Sequence, residues 1–270
     1  MNFKNIKMYL VSNLYRIGSL KKKSLLIPQT QFLGYNIFNG TLSEILYKGK
    51  ITINTLNQYS YCLAENDTVF KSALSESDVL LPDGVSIVLS AKFLNGSEFQ
   101  KIAGADVHDF ILNYLNSVYG SCFYLGSSLG TISAISQKIK ENFPNVRMSG
   151  YSPSFCDEFS VEENELMLDK INEFMPDVLF VGMTAPKQEK WVHQNKNRIH
   201  STIICSIGAV FDFFSEKVER PNSFWIEHGL EWMIRFVNEP RRLWKRYLLY
   251  GAIFVKYIVK EKFRNLIFVR

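Results

Sequence analysis

The stretch PDVLFVGMTAPKQEKW, residues 176–191, predicts a buried strand, a polar turn and the start of a helix. Residues 178–181 form a short uncharged run, which is typical of a strand buried on both faces, and Gly182 ends it. Pro186 suits a first helical turn, because its missing N–H group would have no partner there in any case. In an open α/β sheet, ligands bind beyond the carboxyl ends of the strands, where such turns collect. The stretch therefore predicts an α/β fold and an edge at which a ligand could bind.

Three polar residues at the start of this helix allow two interpretations. Lys187, Gln188 and Glu189, if exposed at the edge of the sheet, could hold a polar or anionic ligand. Charged side chains are ordinary at helix starts, so the same residues also fit a solvated first turn. The sequence leaves both interpretations open.

Strand and helix patterns alternate from about residue 30 to residue 210. This alternation predicts a doubly wound, Rossmann-like α/β domain with a largely parallel sheet. The segment QFLGYNIFNG, residues 31–40, predicts its first strand. The later predicted elements are strands at 79–81, 122–125, 146–150, 178–181 and 202–207, with helices at 85–94, 131–142 and 162–174 among them.

Composition divides the chain into three regions, which are residues 1–29, residues 30–220 and residues 221–270. The first has an apolar patch and a basic cluster but no long apolar core and no cleavage site. We interpret it as neither a signal peptide nor a spanning helix, but as a segment that is mobile or close to a membrane. The second is the α/β domain, and the third is a helical appendage.

The four cysteines are scattered and show no CxxC pair and no spacing typical of metal ligands. A reduced, cytoplasmic setting fits them best. They are Cys62, Cys122, Cys156 and Cys205.

The positive charge of the chain is concentrated in residues 221–270. This region holds ten Lys or Arg against four Asp or Glu, whereas the whole chain carries a net charge of +5. A basic region that also contains aromatic residues could meet nucleic acid, phospholipid head groups or a phosphorylated ligand. The charge alone does not choose between these partners.

The C-terminal region predicts helices that either lie in a membrane interface or pack on the domain. Pro240 permits a new helix start, and apolar and cationic residues interleave from Leu243 onward. The segment 248–255 is too short to span a bilayer before Lys256 interrupts it. The predicted membrane-facing residues are Leu248, Leu249, Ile253, Phe254, Tyr257 and Ile258, and the cations beside them are Lys256, Lys260, Lys262 and Arg264.

Asp83 lies in LLPDGVSIV, residues 80–88, between a predicted buried strand and a helix. A carboxylate there would point into the cleft, where a general base is needed to deprotonate a hydroxyl nucleophile. Pro-Asp-Gly is also a common turn tripeptide, so Asp83 could equally be a cap or a turn former.

Other polar turns give weaker signals. Asn54, Thr55 and Asn57 would follow a strand, where they could bind a sugar or a base, or form a plain turn. The turn GSSLG, residues 126–130, resembles a phosphate-binding loop but lacks both GxGxxG and the lysine of a P-loop, so its glycines could serve packing alone. For the polar cluster Asp106, His108 and Asp109 we favour helix capping over metal ligation.

Several of these segments, in this order, resemble the WecG/TagA/CpsF family of bacterial glycosyltransferases, which is glycosyltransferase family 26. The resemblance runs from about residue 52 to residue 247. It rests on LLPDGVSIV (80–88), KIAGAD (101–106), FYLG (123–126), NFPNVRMSGYSPSF (142–155), PDVLFVGMTAPKQEKW (176–191), GAVFDF (208–213) and GLEWMIRFVNEPRRLWKRY (229–247).

The resemblance implies transfer of a hexose from a UDP-linked donor to a polyprenyl-diphosphate-linked saccharide. The hexose would be N-acetylmannosamine, its uronic acid or a related sugar. The resemblance also implies an inverting mechanism, no metal or other cofactor, and peripheral attachment to the cytoplasmic face of the membrane.

Residues are carried over by their place in these motifs. Asp83 becomes the catalytic base and Thr52 lies near the donor sugar. The donor-binding residues would be Asn54, Gly84, Gly126, Gly182, Lys187, Gln188 and Glu189, and those closing over the diphosphates would be Arg235, Arg241, Arg242 and Arg246.

Three residues depart from the family pattern and leave the donor hexose open. Thr184 stands where the family commonly has Gly, Lys101 stands where Arg is usual, and Arg220-Pro221 lacks an intervening Ala.

The residues themselves are compatible with this chemistry. The chain has no Asp-x-Asp to hold Mg²⁺ on a diphosphate, so Lys or Arg would have to stabilise the leaving group. Arginine side chains bind phosphate bidentately. A single displacement needs one base and no nucleophilic side chain.

Two other interpretations remain at this stage. One is a non-catalytic nucleotide- or nucleic-acid-binding α/β protein with a basic tail, although we expect no nucleic acid partner. The other is a non-catalytic, membrane-associated subunit of a polysaccharide complex. Homo-oligomer formation is left open.

Overall fold

A computed structural model of the chain describes residues 27–47, 49–216, 221, 223–227 and 229–268. The predicted N-terminal segment therefore lies almost entirely outside the described residues, as does Arg220. The boundary predicted at residue 220 falls in the same undescribed stretch.

Six parallel strands form the central sheet, which confirms the predicted fold class. A separate hairpin precedes them. The strands are β1 (Gln29–Phe32), β2 (Tyr35–Phe38), β3 (Ile51–Leu56), β4 (Val79–Pro82), β5 (Ser121–Gly126), β6 (Arg147–Tyr151), β7 (Val178–Gly182) and β8 (Ile203–Ser206). The order in the sheet is β4-β3-β8-β7-β5-β6. Every residue of β4, β5, β7 and β8 is buried, as uncharged runs covered on both faces require.

Helices cover both faces of the sheet. They are α1 (Gln58–Ala64), α2 (Thr68–Ser75), α3 (Val85–Asn95), α4 (Gly104–Val118), α5 (Leu129–Asn142), α6 (Val161–Phe174), α7 (Lys187–Asn195), α8 (Gly208–Phe214), α9 (Ser223–Glu227), α10 (Glu231–Asn238), α11 (Pro240–Trp244) and α12 (Tyr250–Phe268). A 3₁₀ turn spans Leu42–Tyr47, and a π-helical turn, Lys245–Leu249, joins α11 to α12.

Alternate strand residues face two different sets of helices. Ile53, Tyr124 and Phe180 belong to a core formed with α4, α5 and α8. On the other face, Leu56 and Leu80 pack with α1 to α3, and a third group packs under α6 and α7. The sheet is thus buried on both sides, and its ligand-accessible part is its carboxyl edge.

Two aspartates tie neighbouring strands together at the opposite, amino edge. The Asp78 carboxylate accepts hydrogen bonds from Thr52 N at 2.8 Å and from Thr52 Oγ1 at 2.9 Å. The Asp177 carboxylate does the same for the N and Oγ of Ser121, both at 2.7 Å. Each carboxylate satisfies a backbone N–H group at the start of the adjacent strand. This arrangement fixes Thr52 at the amino edge.

The segment predicted as the first strand of the parallel sheet forms an antiparallel hairpin instead, so that prediction was wrong. Leu33 and Gly34 form its two-residue turn, with φ angles of +50° and +82°. Such a turn matches the right-handed twist of the flanking strands. Leucine is unusual at a positive φ, so Leu33 is not a residue from which a turn would be predicted.

Helix α12 packs on the domain through part of the face that the sequence predicted for a membrane. Phe254 and Ile258 are buried, and the Phe254 ring lies 5.4 Å from that of Tyr61 in α1. Ile253 and Tyr257 are partly buried against the same core. The prediction that these four residues face lipid was therefore wrong. The helix carries apolar residues on both faces, and the inner set fills the gap between α1 and α3.

The outer face of α12 is also apolar. Its exposed residues are Val255, Val259, Phe263, Leu266 and Ile267, and Leu248 and Leu249 precede them in the π-helical turn. Within the described ranges, none of the helices combines the length and the apolar character that crossing a bilayer requires.

Candidate active site

Asp83 lies at the carboxyl end of β4, where two backbone hydrogen bonds hold its segment. Asp83 N donates to Leu56 O of β3 at 2.9 Å, and Ile102 N donates to Pro82 O at 3.1 Å. The next residue, Gly84, has a φ of +112°, a conformation that glycine adopts without strain, and α3 starts directly after it. The strand end, the glycine and the helix together fix the position of the Asp83 backbone at the carboxyl edge of the sheet.

Four charged side chains act on Asp83 from three separate segments. Burial raises the pKa of the Asp83 carboxyl group, and the negative charge of Glu231 raises it further, while Arg246, Lys101 and Arg235 lower it. A carboxylate with a raised pKa binds a proton more readily, which suits a general base. The surrounding cations are placed to attract an anionic ligand.

Two of these four charged side chains, Lys101 and Glu231, form an ion pair. Lys101 Nζ lies 3.1 Å from Glu231 Oε2, and their side chains are 21% and 13% exposed. Lys101 belongs to the loop before α4, and Glu231 is the first residue of α10. The pair therefore joins the C-terminal helices to the α/β domain at the candidate site.

Aromatic rings hold the two arginines that face Asp83. The Arg246 guanidinium lies 5.1 Å from the centroid of the Tyr59 ring, and that of Arg235 lies 4.8 Å from the centroid of Phe213. Arg235 Nε is buried and finds no hydrogen-bond partner among the described residues. Stacking fixes a guanidinium plane while leaving its N–H groups free to bind an anion.

The other two predicted diphosphate ligands are exposed. Arg241 and Arg242 lie on α11, and Arg242 Nε pairs with Glu239 Oε2 at 2.6 Å. The structure thus brings Arg235 and Arg246 to Asp83 and leaves Arg241 and Arg242 at the surface.

Gln188 and Glu189 are buried at 5% and 2% exposure, so the expectation of an exposed cluster was wrong for both. Gln188 Oε1 accepts hydrogen bonds from Met183 N at 3.1 Å and Gly208 N at 3.2 Å. Gln188 Nε2 donates to Glu189 Oε1 at 2.8 Å. The Gln188 amide therefore bridges the loops after β7 and β8, which satisfies backbone groups that no regular element reaches.

The two carboxylate oxygens of Glu189 differ in their hydrogen bonding. Its Oε2 is buried and has no hydrogen-bond partner in the part of the chain that is described. Burial raises the pKa of Glu189 to about 7, while the hydrogen bond from Gln188 and the charge of Arg246 oppose the rise. Arg246 thus acts on Glu189 as well as on Asp83, which makes it the cation shared by the two carboxyl groups.

Lys187 faces away from these residues. Its Nζ donates to Cys156 O and lies 3.6 Å from the centroid of the Phe159 ring. It therefore holds the loop that follows β6, and its predicted contact with the donor stays a prediction.

The predicted glycines pack closely between strands. Gly126 and Gly182 are paired in register, and a Cβ on Gly126 would lie 2.4 Å from Gly182 O. A Cβ on Gly182 would lie 2.5 Å from the Phe211 ring. Close packing therefore accounts for both glycines, and their predicted role in donor binding stays untested.

Thr52 and Asn54 lie away from the carboxyl edge. Strand β3 continues to Leu56, so Asn54 is in mid-strand, where its Nδ2 donates to Ser77 Oγ at 2.8 Å. The expectation that Asn54 follows the strand was wrong, because the strand does not end before Asn54 but runs on to Leu56. Thr52, tied to Asp78 at the amino edge, is not brought to Asp83.

The turn interpretation holds for Asn57, and the capping interpretation holds for Asp106 but not for His108. Asn57 Oδ1 accepts from Tyr59 N at 3.0 Å and Ser60 N at 3.1 Å and so caps α1. Asp106 Oδ2 accepts from Ala103 N at 2.9 Å at the start of α4. His108 is buried, with its Nε2 2.6 Å from the Tyr124 hydroxyl.

Sequence reasoning missed Tyr59 and Glu231 as parts of the site. Tyr59 is the platform for Arg246, and Glu231 is the partner of Lys101. No local pattern could have joined them, because each pair is separated by more than a hundred residues.

A family model described as "Glycosyl transferase WecG/TagA/CpsF family" matches residues 30–267. Three relatives carry the name N-acetylglucosaminyldiphosphoundecaprenol N-acetyl-beta-D-mannosaminyltransferase. The protein of Bacillus subtilis strain 168 is 30% identical over 210 residues, which cover 78% of this chain and 80% of the relative.

Two further relatives agree with this match. The protein of Bacillus spizizenii strain ATCC 23059 / NRRL B-14472 / W23 is 31% identical over 179 residues, covering 66% of this chain and 67% of the relative. That of Staphylococcus aureus strain MW2 is 24% identical over 210 residues, covering 78% and 80% respectively.

Proposed function

Because the chain belongs to the WecG/TagA/CpsF family of glycosyl transferases, we propose that it transfers an N-acetylmannosamine-type hexose from a UDP-linked donor. The acceptor is a saccharide linked to polyprenyl diphosphate, in the synthesis of a cell-surface polysaccharide. The names of the relatives, which specify an N-acetylmannosaminyl group and an N-acetylglucosaminyl-diphosphoundecaprenol acceptor, support this choice of substrates. The comparisons give no support to a nucleic-acid-binding function.

The single observation that carries the proposal is the carboxyl group of Asp83 at the sheet edge, faced by Arg235, Arg246 and Lys101. Asp83 acts as the general base and takes the proton of the acceptor hydroxyl as that oxygen attacks the anomeric carbon of the donor. The bond from this carbon to the UDP oxygen breaks in the same displacement, which inverts the anomeric centre. No nucleophilic side chain is needed.

The leaving UDP carries its negative charge on the diphosphate, which the cations of the site stabilise. Arg235 and Arg246, held by aromatic rings, are preorganised for this task, and Arg241 and Arg242 supply further charge from α11. We propose that these arginines do the work that Mg²⁺ does in other transferases, so the reaction needs no metal.

The outer face of the C-terminal helix supports a peripheral position on the cytoplasmic leaflet of the membrane. Its exposed apolar residues lie beside the exposed cations Lys256 and Lys260. Leu89 and Phe93 of α3 are exposed nearby, and Lys262 Nζ lies 5.0 Å from the centroid of the Phe93 ring. Apolar groups flanked by lysine suit the interface of anionic lipid. This position brings the enzyme to an acceptor that is anchored by its polyprenyl chain.

A donor screen tests the proposed substrates. The purified full chain is incubated with several UDP-hexoses, each with and without N-acetylglucosaminyl-diphosphoundecaprenol, and UDP release is measured. We expect acceptor-dependent release with UDP-N-acetylmannosamine or a closely related hexose. Absence of acceptor-dependent release with every UDP-sugar would overturn the proposed donor class.

A further inference from the structure

The Lys101–Glu231 pair differs from an ordinary surface ion pair in its position and burial. The two residues are 130 positions apart in the sequence, and their charged atoms lie 3.1 Å apart with little solvent exposure. Pairs shielded in this way are screened less by salt than exposed ones. The contact is therefore well placed to hold two segments together.

Both segments carry residues of the candidate site. The loop of Lys101 is bound to the end of β4 through the hydrogen bond from Ile102 N to Pro82 O, and Asp83 comes next. Glu231 starts α10, which also carries Arg235. The ion pair thus connects the strand end that presents Asp83 to the helix that presents Arg235.

The two charges of the pair act on Asp83 with opposite signs. Among the described residues, four charged groups act on Asp83, which are Glu231 and Arg235 from α10, Arg246 from the π-helical turn, and Lys101 from the loop before α4. Removing Glu231 would leave the Lys101 ammonium group unpaired beside Asp83. An unpaired cation there would stabilise the ionised carboxylate and make it a weaker base.

We propose that Glu231 is a positioning residue for the transfer reaction. Its ion pair with Lys101 seats α10 over the site and keeps the Lys101 charge from weakening Asp83 as a base. The inference rests on the proposed role of Asp83, and it adds that the Glu231 carboxylate, through its pair with Lys101, helps to keep the proton affinity of that base high.

A titration that needs no substrate tests the proposed effect of the ion pair on the pKa of Asp83. The carboxyl carbons of aspartate are followed by NMR against pH in the full chain, and Asp83→Asn identifies the Asp83 signal. Glu231→Gln should lower the pKa of Asp83, and Lys101→Met should raise it. Lys101→Arg keeps the pair and should change it little. Shifts of the same sign in both variants, or no shift in either, would overturn the proposal.

Limited proteolysis tests the seating of α10. Both Glu231→Gln and Lys101→Met should speed cleavage within the C-terminal helices, and the reversed pair, Lys101→Glu with Glu231→Lys, should restore protection. Lys92→Met is a matched control, because the Lys92–Glu98 pair has the same 3.1 Å separation but is 68% and 78% exposed. Failure of the reversed pair to recover protection would contradict the seating role.

The dependence of kcat/KM on pH tests whether the ion pair affects the transfer reaction. The acidic limb of kcat/KM should move to lower pH in Glu231→Gln and to higher pH in Lys101→Met, following the titration. If the titration behaves as expected but the wild type transfers no sugar, the proposed function fails while the effect of the pair on Asp83 stands. If transfer occurs and the limb stays fixed in both variants, the positioning role is wrong.

Discussion

Glu189 shows how one buried side chain connects stability to pH. Its carboxyl group is held by Gln188 on one oxygen and has no described partner on the other, and burial raises its pKa to about 7. The unfolded chain would ionise it at its ordinary, lower pKa. The folded state therefore binds the proton more tightly. Proton binding by Glu189 therefore stabilises the folded state in full when the pH is below the pKa that Glu189 has in the unfolded chain. This stabilisation is lost as the pH rises towards 7.

We predict that Glu189→Gln removes this pH dependence. Glutamine keeps an acceptor for Gln188 and carries no charge. Between pH 4 and pH 8, the wild type should therefore lose about 3 kcal/mol of unfolding free energy that the variant retains. Urea unfolding across this pH range measures the difference. Glu173→Gln, an exposed change on α6, is the control and should follow the wild type. Parallel curves for Glu189→Gln and the wild type would refute the prediction.

The sequence predicted the position of Asp83 between a strand and a helix, but it did not predict which residues surround it. The tripeptide Pro-Asp-Gly between two apolar runs located the carboxylate, since the strand end and helix start are both visible in the sequence. The error at Asn54 came from placing the end of β3 where polar residues begin. Counting the strand to Leu56 would have placed Asn54 and Thr55 within the strand and only Asn57 after it.

At the level of elements, the parallel strands owe their close spacing at the carboxyl edge to two facing glycines. We predict that Gly126→Ala destabilises the protein by about 1–3 kcal/mol through overpacking, because its Cβ would meet Gly182 O at 2.4 Å. The positive φ of +117° adds strain for alanine. Thermal or urea unfolding measures the change.

Gly130→Ala is the matched control for this prediction. It lies in the first turn of α5, where an added Cβ meets only Ser128 Oγ at 3.9 Å. Alanine should there be neutral or stabilise by up to about 1 kcal/mol, since it favours the helix. Equal destabilisation by the two changes would show that the close approach of the strands is not the cause.

Helix α12 was predicted as an element, but the prediction of which of its faces is turned to the membrane was wrong. Phe254 and Phe263 are both apolar and both fit an amphipathic helix, so the sequence could not tell which faces the domain. The aromatic residues of α1 decide it, because Tyr61 packs on Phe254. The predicted cations Lys256 and Lys260 remain exposed on the outside, whereas Lys262 donates to Phe93 O at 2.8 Å.

The two faces of α12 should respond differently to substitution. We predict that Phe263→Ser weakens binding to vesicles that contain anionic lipid and leaves stability nearly unchanged, since Phe263 is 62% exposed. Phe254→Ala should instead cost about 3–5 kcal/mol of stability. Vesicle sedimentation and urea unfolding separate the two effects. Undiminished sedimentation of Phe263→Ser would show that this part of the face does not meet the membrane.

At the scale of the whole molecule, alternating periodicity predicted the α/β class and the run of parallel strands. It could not predict the order β4-β3-β8-β7-β5-β6, because the sequence does not state which strands pair. That order decides which loops meet. It places β8 beside β3, so that the Gln188 contact with the loop after β8 lies near the end of the strand that supports Asp83.

The C-terminal helices contribute charged side chains to the candidate site. Arg235, Arg246 and Glu231 all come from them, and all act on a carboxylate of the α/β domain. If these cations and the apolar outer face have the proposed roles, the C-terminal region couples the reaction to the membrane surface. This proposed coupling depends on the assembled fold, because neither region carries both features alone.

The most direct test of the account is the pH profile of transfer by the wild type and by Asp83→Asn, in the presence of EDTA. With the donor found in the screen, the wild type should keep its activity in EDTA and show an acidic limb from Asp83. The variant should bind the UDP-sugar normally but transfer about 10²–10⁴ times more slowly and lack that limb. Full activity of Asp83→Asn with an unchanged profile, or complete loss of wild-type activity in EDTA, would contradict the account.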